Sequence, residues 1–514
     1  MSFFRDPGCT LGAASATIDA GTSFTSTWFR GANAGNFTLS ISAPGLTGTS
    51  QLATFVTRPT LLVFNANPPG QLLAGTCFQG TVQTRTAGGG GAPVFSDTPV
   101  GLTEVPTDGT RYYSDAACTI PITAATILAG QSQANFFIKA ITGGLVTVTA
   151  ASPFGSAQQA FTIIPAVRRG TCAFTNWSGN LDCSYAPSQS NLSRTALIFQ
   201  ASVNSDDPDY MLITCELASN SRVHCARQAD IPIGPSGTTV HWQTLELPAG
   251  LRVEQLKGSC NSPPVTRTIF TPVTPSSTFV LKSTAKSGGG LDDEELAAAV
   301  LTSPTTVTYD VGGPLCGTQH NYDLQLVELT GLAVTRGIFP DAGTLAAGAT
   351  LTGLPAASAN RAVLVQPRAL GGALPICSRL IRAAAPTPTS ISFTRGAGIA
   401  DGGCQQPGLA ELVWERIDFG TRATVQTITV TLAPGVSQQD APISAVDLTR
   451  TVVLSSGQAA SGQGSGETDS NVGTQFAGEA LGRFELTAAN NVRITRDHSV
   501  FTARFTFFVV QIEP

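Results

Sequence analysis

Clustered carboxylates stand out in a chain otherwise poor in charge. Asp206, Asp207 and Asp209 crowd one short stretch, Asp292, Asp293, Glu294 and Glu295 run consecutively, and Glu467 and Asp469 form a smaller pair. Carboxylates gathered on a loop suit Ca²⁺, which takes six to eight oxygen ligands at about 2.3–2.6 Å. No EF-hand or repeat-toxin spacing surrounds them. A solvated acidic loop is therefore the plainer reading, and Ca²⁺ is the one cofactor the sequence suggests. His224, His241, His320 and His498 do not recur at equivalent positions, so isolated structural histidines are expected rather than a general base. Ser465 lies between two glycines in a Ser/Gly/Gln-rich stretch, 455–471, with no strand-to-helix elbow around it. That stretch reads as a flexible loop tip. Trp177, inside the short CAFTNWSGNLDC segment, is the one tryptophan expected to be exposed and able to stack on a sugar ring. No catalytic constellation emerges.

The elements that would hold such residues come from internal repetition. Phe3–Ala43 and Tyr112–Ala151 align without a gap at an offset of 109 residues, placing Cys9 on Cys118 and Trp28 on Phe137. Self-similarity of this kind means one folding unit used more than once. Runs such as Leu145–Ala150 alternate apolar and polar residues, the mark of a half-buried strand. Gly143-Gly144 between two such runs reads as a hairpin turn. A unit near 110 residues built this way predicts a Greek-key β-sandwich of immunoglobulin type. The first copy is only a second half of that unit. The chain is therefore expected to be a piece of a longer protein, or else to have its missing strands supplied by another molecule through strand complementation.

From residue 166 a second family of repeats takes over. Its closing strands read VHWQTLEL, YDLQLVEL, LVWERIDF and FFVVQIEP, with an acidic residue recurring at Glu246, Glu328, Asp418 and Glu513. Each is preceded by a shared strand and, earlier, by an apolar one. The expected division is 1–58 (partial sandwich), 59–165 (sandwich), and four β units at 166–258, 259–340, 341–428 and 429–514. The fold class is all-β: tandem Ig-like β-sandwiches followed by an array of related β-sandwich units, stacked as a rod. The one helix candidate is Leu291–Leu301.

Eleven cysteines in a Lys-poor, β-rich chain suggest an oxidising compartment. Register suggests Cys77–Cys118 across the sandwich, Cys172–Cys183, Cys215–Cys225, Cys260–Cys316 and Cys377–Cys404, leaving Cys9 unpaired. A formal net charge of −5 without a Lys/Arg cluster argues against a nucleic-acid partner, and no apolar run approaches the ~20 residues of a membrane-spanning helix.

The AGTC…YYSDAACT…AGQSQANFFIKA…VTVTA pattern resembles the Ig-like repeats of large secreted or surface proteins of myxobacterial type. The units closing in VHWQTLEL and LVWERIDF resemble a repeat that commonly follows them. Trp242 and Trp414 also resemble the V-x-W strand of H-type lectin domains, but Leu324 and Val509 stand at the matching positions, so no ligand residues carry over. The resemblance implies a non-enzymatic extracellular structural or adhesion protein whose partners are cell-surface glycans or further copies of itself. The alternatives are a carbohydrate-binding tip and an accessory arm of a secreted enzyme.

Overall fold

A computed structural model describes the chain except for residues 33–34, 67–69, 108, 175–178, 190, 204–211, 228–236, 287–295, 313–314, 317–319, 341–347, 370–375, 397–409, 459–463, 471–476 and 514. The protein is all-β. It divides into two compact units, one of residues 1–72 and 76–163, the other of 73–75 and 164–514.

In the N-terminal unit the full copy forms a sandwich of a five-stranded and a four-stranded antiparallel sheet. The alternating faces meet in a core that includes Val82, Val100, Phe136, Ile138, Val146, Val148 and Phe161. Gly143-Gly144 does not close a hairpin. Gln133–Ala140 pairs with Cys77–Arg85 and Thr110–Tyr113 in one sheet, while Gly144–Ser152 pairs with Gly155–Ile164 and Thr98–Val105 in the other. The glycines carry the chain between sheets, and Gly144 takes a φ of 135° that L side chains rarely adopt. The Cys77–Cys118 bond is not a cross-sandwich link. It ties the start of one strand to the turn after Thr110–Tyr113, on the same sheet.

The half copy reproduces the registers of the full one. Phe4 lies opposite Trp28 as Tyr113 lies opposite Phe137, and Gly35–Ala43 pairs with Leu46–Phe55 as Gly144–Ser152 pairs with Gly155–Ile164. Even the turn is kept. Asp6 accepts the Leu11 N–H at 2.6 Å and Asp115 the Ile120 N–H at 2.7 Å, each followed by a left-handed cysteine, Cys9 or Cys118. Cys9 is a free thiol.

The C-terminal unit contains four repeats of six strands, the fourth with one short extra strand, Glu467–Thr468, paired with its closing strand. In each, the first, sixth and third strands form one antiparallel sheet, and the second, fifth and fourth form another. In the first repeat these are Val167–Ala173, Thr238–Glu246 and Thr195–Val203, then Asn180–Ser184, Arg222–Arg227 and Ile213–Ser219. The strand after each closing strand pairs forward. Leu251–Ser259 lies beside Asn321–Leu329, Ala333–Pro340 beside Ala410–Asp418, and Ala423–Leu432 beside Ala503–Ile512. Pairing therefore sets the repeat boundaries in the turns after Glu246, Leu329 and Asp418, not at 258, 340 and 428. The helix candidate is also overturned where it is described: Ala297–Ser303 is the fourth strand of the second repeat, paired with Thr306–Val311. The described ends of the 455–471 stretch are not a loop tip. Ser455, Ser456, Gln458, Ser465, Glu467, Thr468 and Ser470 are all buried.

Nor do the four repeats stack end to end. One hydrophobic cluster draws on all of them: Ala196, Ile198 and Leu245 from the first, Phe279, Leu281 and Val327 from the second, Leu364, Trp414 and Ile417 from the third, Val452, Phe508 and Val510 from the fourth. Three of the repeats keep a smaller core between their own two sheets. The sixth strands serve both cores because their side chains alternate. Leu324 and Leu326 face the second repeat's own core, while Val327 and Leu329 face the common one. A strand wanted apolar on both faces reads as a nearly continuous hydrophobic run, and that is how Ala503–Ile512 reads, as ARFTFFVVQI.

Candidate functional site

The common core poses a hydrogen-bonding problem. The third strand is an edge of its sheet, so one row of its N–H and C=O groups lacks a strand partner inside a dry interior. Side chains from the next repeat supply that partner. Gln325 of the second repeat gives its Nε2 to the Leu197 carbonyl (2.9 Å) and takes the Leu197 N–H on Oε1 (2.8 Å). Gln243 of the first repeat does the same to Val453 of the fourth, at 3.2 and 3.0 Å. A carboxamide carries the same donor and acceptor as a peptide group, so a glutamine can stand in for a strand. Glu415 of the third repeat occupies the equivalent place and accepts the Val280 N–H (2.8 Å). A carboxylate cannot donate, and the Val280 carbonyl is met instead by Gln458 Nε2 at 3.2 Å. Glu415 is balanced by Arg336 at 3.1 Å. Between the third and fourth repeats the chain pairs directly, Val365 N–H to Ser456 O and Gln458 N–H to Val365 O. Each repeat is thus joined to the next, and the fourth back to the first.

The recurring acidic residues have a local task. Glu246 accepts the Asn191 N–H (3.0 Å) and pairs with buried Arg168 (3.0 Å); Glu328 accepts the Thr274 N–H and pairs with Arg252; Asp418 accepts from Ser358; Glu513 pairs with Arg450. In three of the repeats the acid holds the segment that leads into the third strand; in the fourth, Gln511 takes the Asp447 N–H in that role. The glutamine-type partners lie three residues before the acid, as Gln243, Gln325 and Glu415, a Q-x-x-E spacing that the sequence displays and that pattern reading for sites passes over.

Asp206, Asp207, Asp209, Asp292, Asp293, Glu294, Glu295, Trp177 and Cys404 lie outside the described residues. Among the described residues no group of three His, Cys, Asp or Glu side chains is placed to hold a metal ion. Glu467 and Asp469 are engaged by arginines: Arg382 and Arg504 meet Glu467, and Arg504 meets Asp469 at 2.9 Å. The structure joins Cys77 to Cys118, Cys172 to Cys183, Cys215 to Cys225 and Cys260 to Cys316, and Cys377 is disulfide-bonded. The histidines are dispersed. Burial pushes His241 down to about 3 and His320 down to about 4, so both stay neutral. His320 bridges the Cys316 carbonyl and the Tyr309 hydroxyl, and His498 binds buried Glu479 at 2.6 Å. Trp242 and Trp414 are buried over Gly170 and Gly337 of the adjacent first strands.

One seam opens into a cleft. Between the first and second repeats a cavity of about 320 Å³ is lined by Thr214, Glu216 and His224 on one side and Lys257, Ser259, Asn321 and Asp323 on the other. It sits at the low end of the range for small-ligand sites, about 300–1,000 Å³. Lys257 and Glu216 form an ion pair across it. His224 Nδ1 lies 2.8 Å from Asp182 Oδ1. Asp323 is 5% exposed. Its Oδ2 accepts from Gln255 Nε2 at 2.8 Å, but its Oδ1 has no hydrogen-bond partner among the described residues. Burial pushes its carboxyl up to about 7, with Gln255 and Lys257 acting in the opposite direction.

No protein-family model matches the chain, and no curated protein matches it. Solved structures give weak likenesses. Domains 4 and 5 of the S-layer protein SbsC align with 25% of this chain and 65% of that chain, at 13% identity and a TM-score of 0.18. The match therefore spans less than two thirds of that chain. Domains 4–9 of the same surface layer protein align with 80% of this chain and 72% of that chain, at 11% identity and a TM-score of 0.18. A β-glucuronidase of glycoside hydrolase family 2 aligns with 62% of this chain and 34% of that chain, at 9% identity and a TM-score of 0.19. None of these likenesses carries an argument about this chain.

Proposed function

We propose that the protein is a non-enzymatic extracellular structural or adhesion protein of a cell surface or matrix, whose half sandwich takes up added strands, either its own or another molecule's. The compartment follows from disulfides in both units, a pattern of oxidising environments. The strand addition follows from one observation. Val146, Val148, Ala150, Phe161 and Ile163 are buried in the full copy, at 2% exposure or less. Their counterparts in the half copy, Phe37, Leu39, Ile41, Ala53 and Phe55, are half-buried or exposed, and Ile41 is 70% exposed. The segment that would complete this face, from the same protein or from another molecule, has the strand pattern of Leu61–Val105 in the full copy. Strand addition of this kind supplies main-chain hydrogen bonds and a matching apolar face.

Sedimentation of the full chain tests this. The expected result is concentration-dependent association, reversed by a polypeptide of sequence Leu61–Val105 and abolished by Ile41→Lys. A single monomeric species at every concentration that neither binds the polypeptide nor responds to Ile41→Lys contradicts it. A second reading, carbohydrate binding by the C-terminal unit, is favoured by the polar cleft at the first seam.

A further inference from the structure

We infer that the cleft between the first and second repeats is a binding site for a neutral polyhydroxylated ligand, a mono- or disaccharide, with Asp323 as the acceptor at its base. This specifies the carbohydrate reading above and rests on it; it does not depend on strand addition at the half sandwich.

The argument begins with the register. Asp323 stands five residues before Glu328 on its sixth strand, and the residue in that place in the first repeat is His241. Both side chains leave the strand on the face turned to the neighbouring repeat. His241 is met there on one nitrogen: Nδ1 meets Thr171 Oγ1 at 3.1 Å, with Glu485 of the fourth repeat 3.7 Å away. Its Nε2 has no hydrogen-bond partner among the described residues, and it does not line the cleft. Asp323 is met on one oxygen only. A buried carboxyl oxygen without a partner forfeits the free energy of solvation, so natural folds pair such atoms unless something else occupies the place. Here the unpaired oxygen belongs to a residue that lines an open cleft.

The other groups decide what fits. Lys257 is a donor at the cleft and Glu216, its ion-pair partner, an acceptor. Ser259 gives its hydroxyl proton to Asn321 Oδ1 at 2.6 Å, so the Asn321 amide nitrogen is the end left to donate. Donors and acceptors therefore alternate around the space. A sugar hydroxyl both donates and accepts, and neighbouring hydroxyls on one ring match such an alternation: one donates to Asp323 Oδ1 while the next accepts from Lys257 or Asn321. A simple cation fits less well, because the Lys257 ammonium already stands at the site. An anion is opposed by Glu216, and by Asp323 once it is ionised above about pH 7. The lining offers no exposed tyrosine or tryptophan face, since Tyr322 is stacked on Tyr309 within the repeat core. Recognition here rests on hydrogen bonds rather than ring stacking.

The test uses the full chain with a panel of free mono- and disaccharides, read by isothermal titration and by ligand-observed NMR. Two variants are compared. Asp323→Asn keeps the shape and removes the carboxylate; Ser259→Trp fills the cleft from an exposed strand position and leaves Asp323 untouched. The expected result is saturable binding of at least one sugar, weakened at least tenfold in both variants. Sugar binding unchanged in both variants overturns the assignment of the cleft while leaving the carbohydrate reading standing. No binding of any sugar at millimolar concentration overturns both. Displacement of a bound sugar by methylammonium at equal concentration overturns the preference for a neutral ligand.

Discussion

Asp323 shows how one buried side chain couples the seam to solution conditions. Its carboxyl titrates near 3.8 when the chain is unfolded and at about 7 when folded. The folded protein thus holds a proton that the unfolded chain has released between those values. The stabilisation this gives is complete below pH 4 and is lost as pH rises through 7. The groups facing it, Gln255, Lys257, Glu216 and His224, belong to both repeats. Asp323→Asn cannot titrate. The stability of the variant relative to the parent is expected to rise by about 2–4 kcal/mol between pH 4 and pH 7, measured by urea denaturation at a series of pH values. A difference that stays constant across that range contradicts this account. Nothing in the sequence marks Asp323, which shares a largely apolar strand with the recurring acid Glu328. Its character comes from burial and from the neighbouring strand Leu251–Ser259, whose Gln255 donates to it from 68 residues earlier. The carboxylates that sequence does mark, Glu246, Glu328, Asp418 and Glu513, prove to hold connections within repeats.

At the scale of elements, the strand pattern was legible because period-two alternation is a local property, and the repeated closing strands recur where the alignment put them. Two elements were misread for physical reasons. Ala297–Ser303 carries an alanine run that favours helix in isolation. In the fold those alanines let two repeats approach closely, with the Ala299 N–H bound to Gln366 Oε1 at 2.7 Å, and tertiary context overrides the propensity. Gly143-Gly144 has the composition of a hairpin turn but crosses between sheets, which only the strand partners reveal. A related close approach is predictive. A Cβ on Gly337 would lie 2.7 Å from Trp414 Cζ2, and one on Gly170 lies 2.6 Å from Trp242 Cζ2. Gly337→Ala forces the indole to shift in a packed core. It is expected to cost about 1–2 kcal/mol after the gain from a stiffer unfolded chain, read as a lower denaturation midpoint of the C-terminal unit. An unchanged or raised midpoint contradicts the packing argument.

At the scale of the molecule, the sequence announces four C-terminal units but not their closure. A repeat array in which each member touches only its neighbours stays open and unfolds piecemeal. Here Gln243 ties the first repeat to Val453 of the fourth, across 210 residues of chain, and all four share one core. The contact that closes the circuit involves a glutamine whose Q-x-x-E spacing recurs in the sequence, but the spacing does not say which distant strand it reaches. Closure makes the C-terminal unit a single cooperative body rather than a flexible stalk.

Hydrogen exchange of the full chain across a urea series, with and without Gln243→Leu, tests this most directly. The variant leaves the Val453 N–H without this partner, at a cost of about 1–3 kcal/mol, while the Val453 carbonyl keeps Gln200 Nε2 at 3.2 Å. The account predicts that the third strands of all four repeats, Thr195–Val203, Thr278–Ala285, Arg361–Ala369 and Thr451–Ser455, lose protection together, and that the variant lowers the midpoint of all four by the same amount. Repeats that open at separate urea concentrations, or a variant that weakens the first and fourth repeats while the second and third keep their midpoints, would contradict a closed four-repeat body.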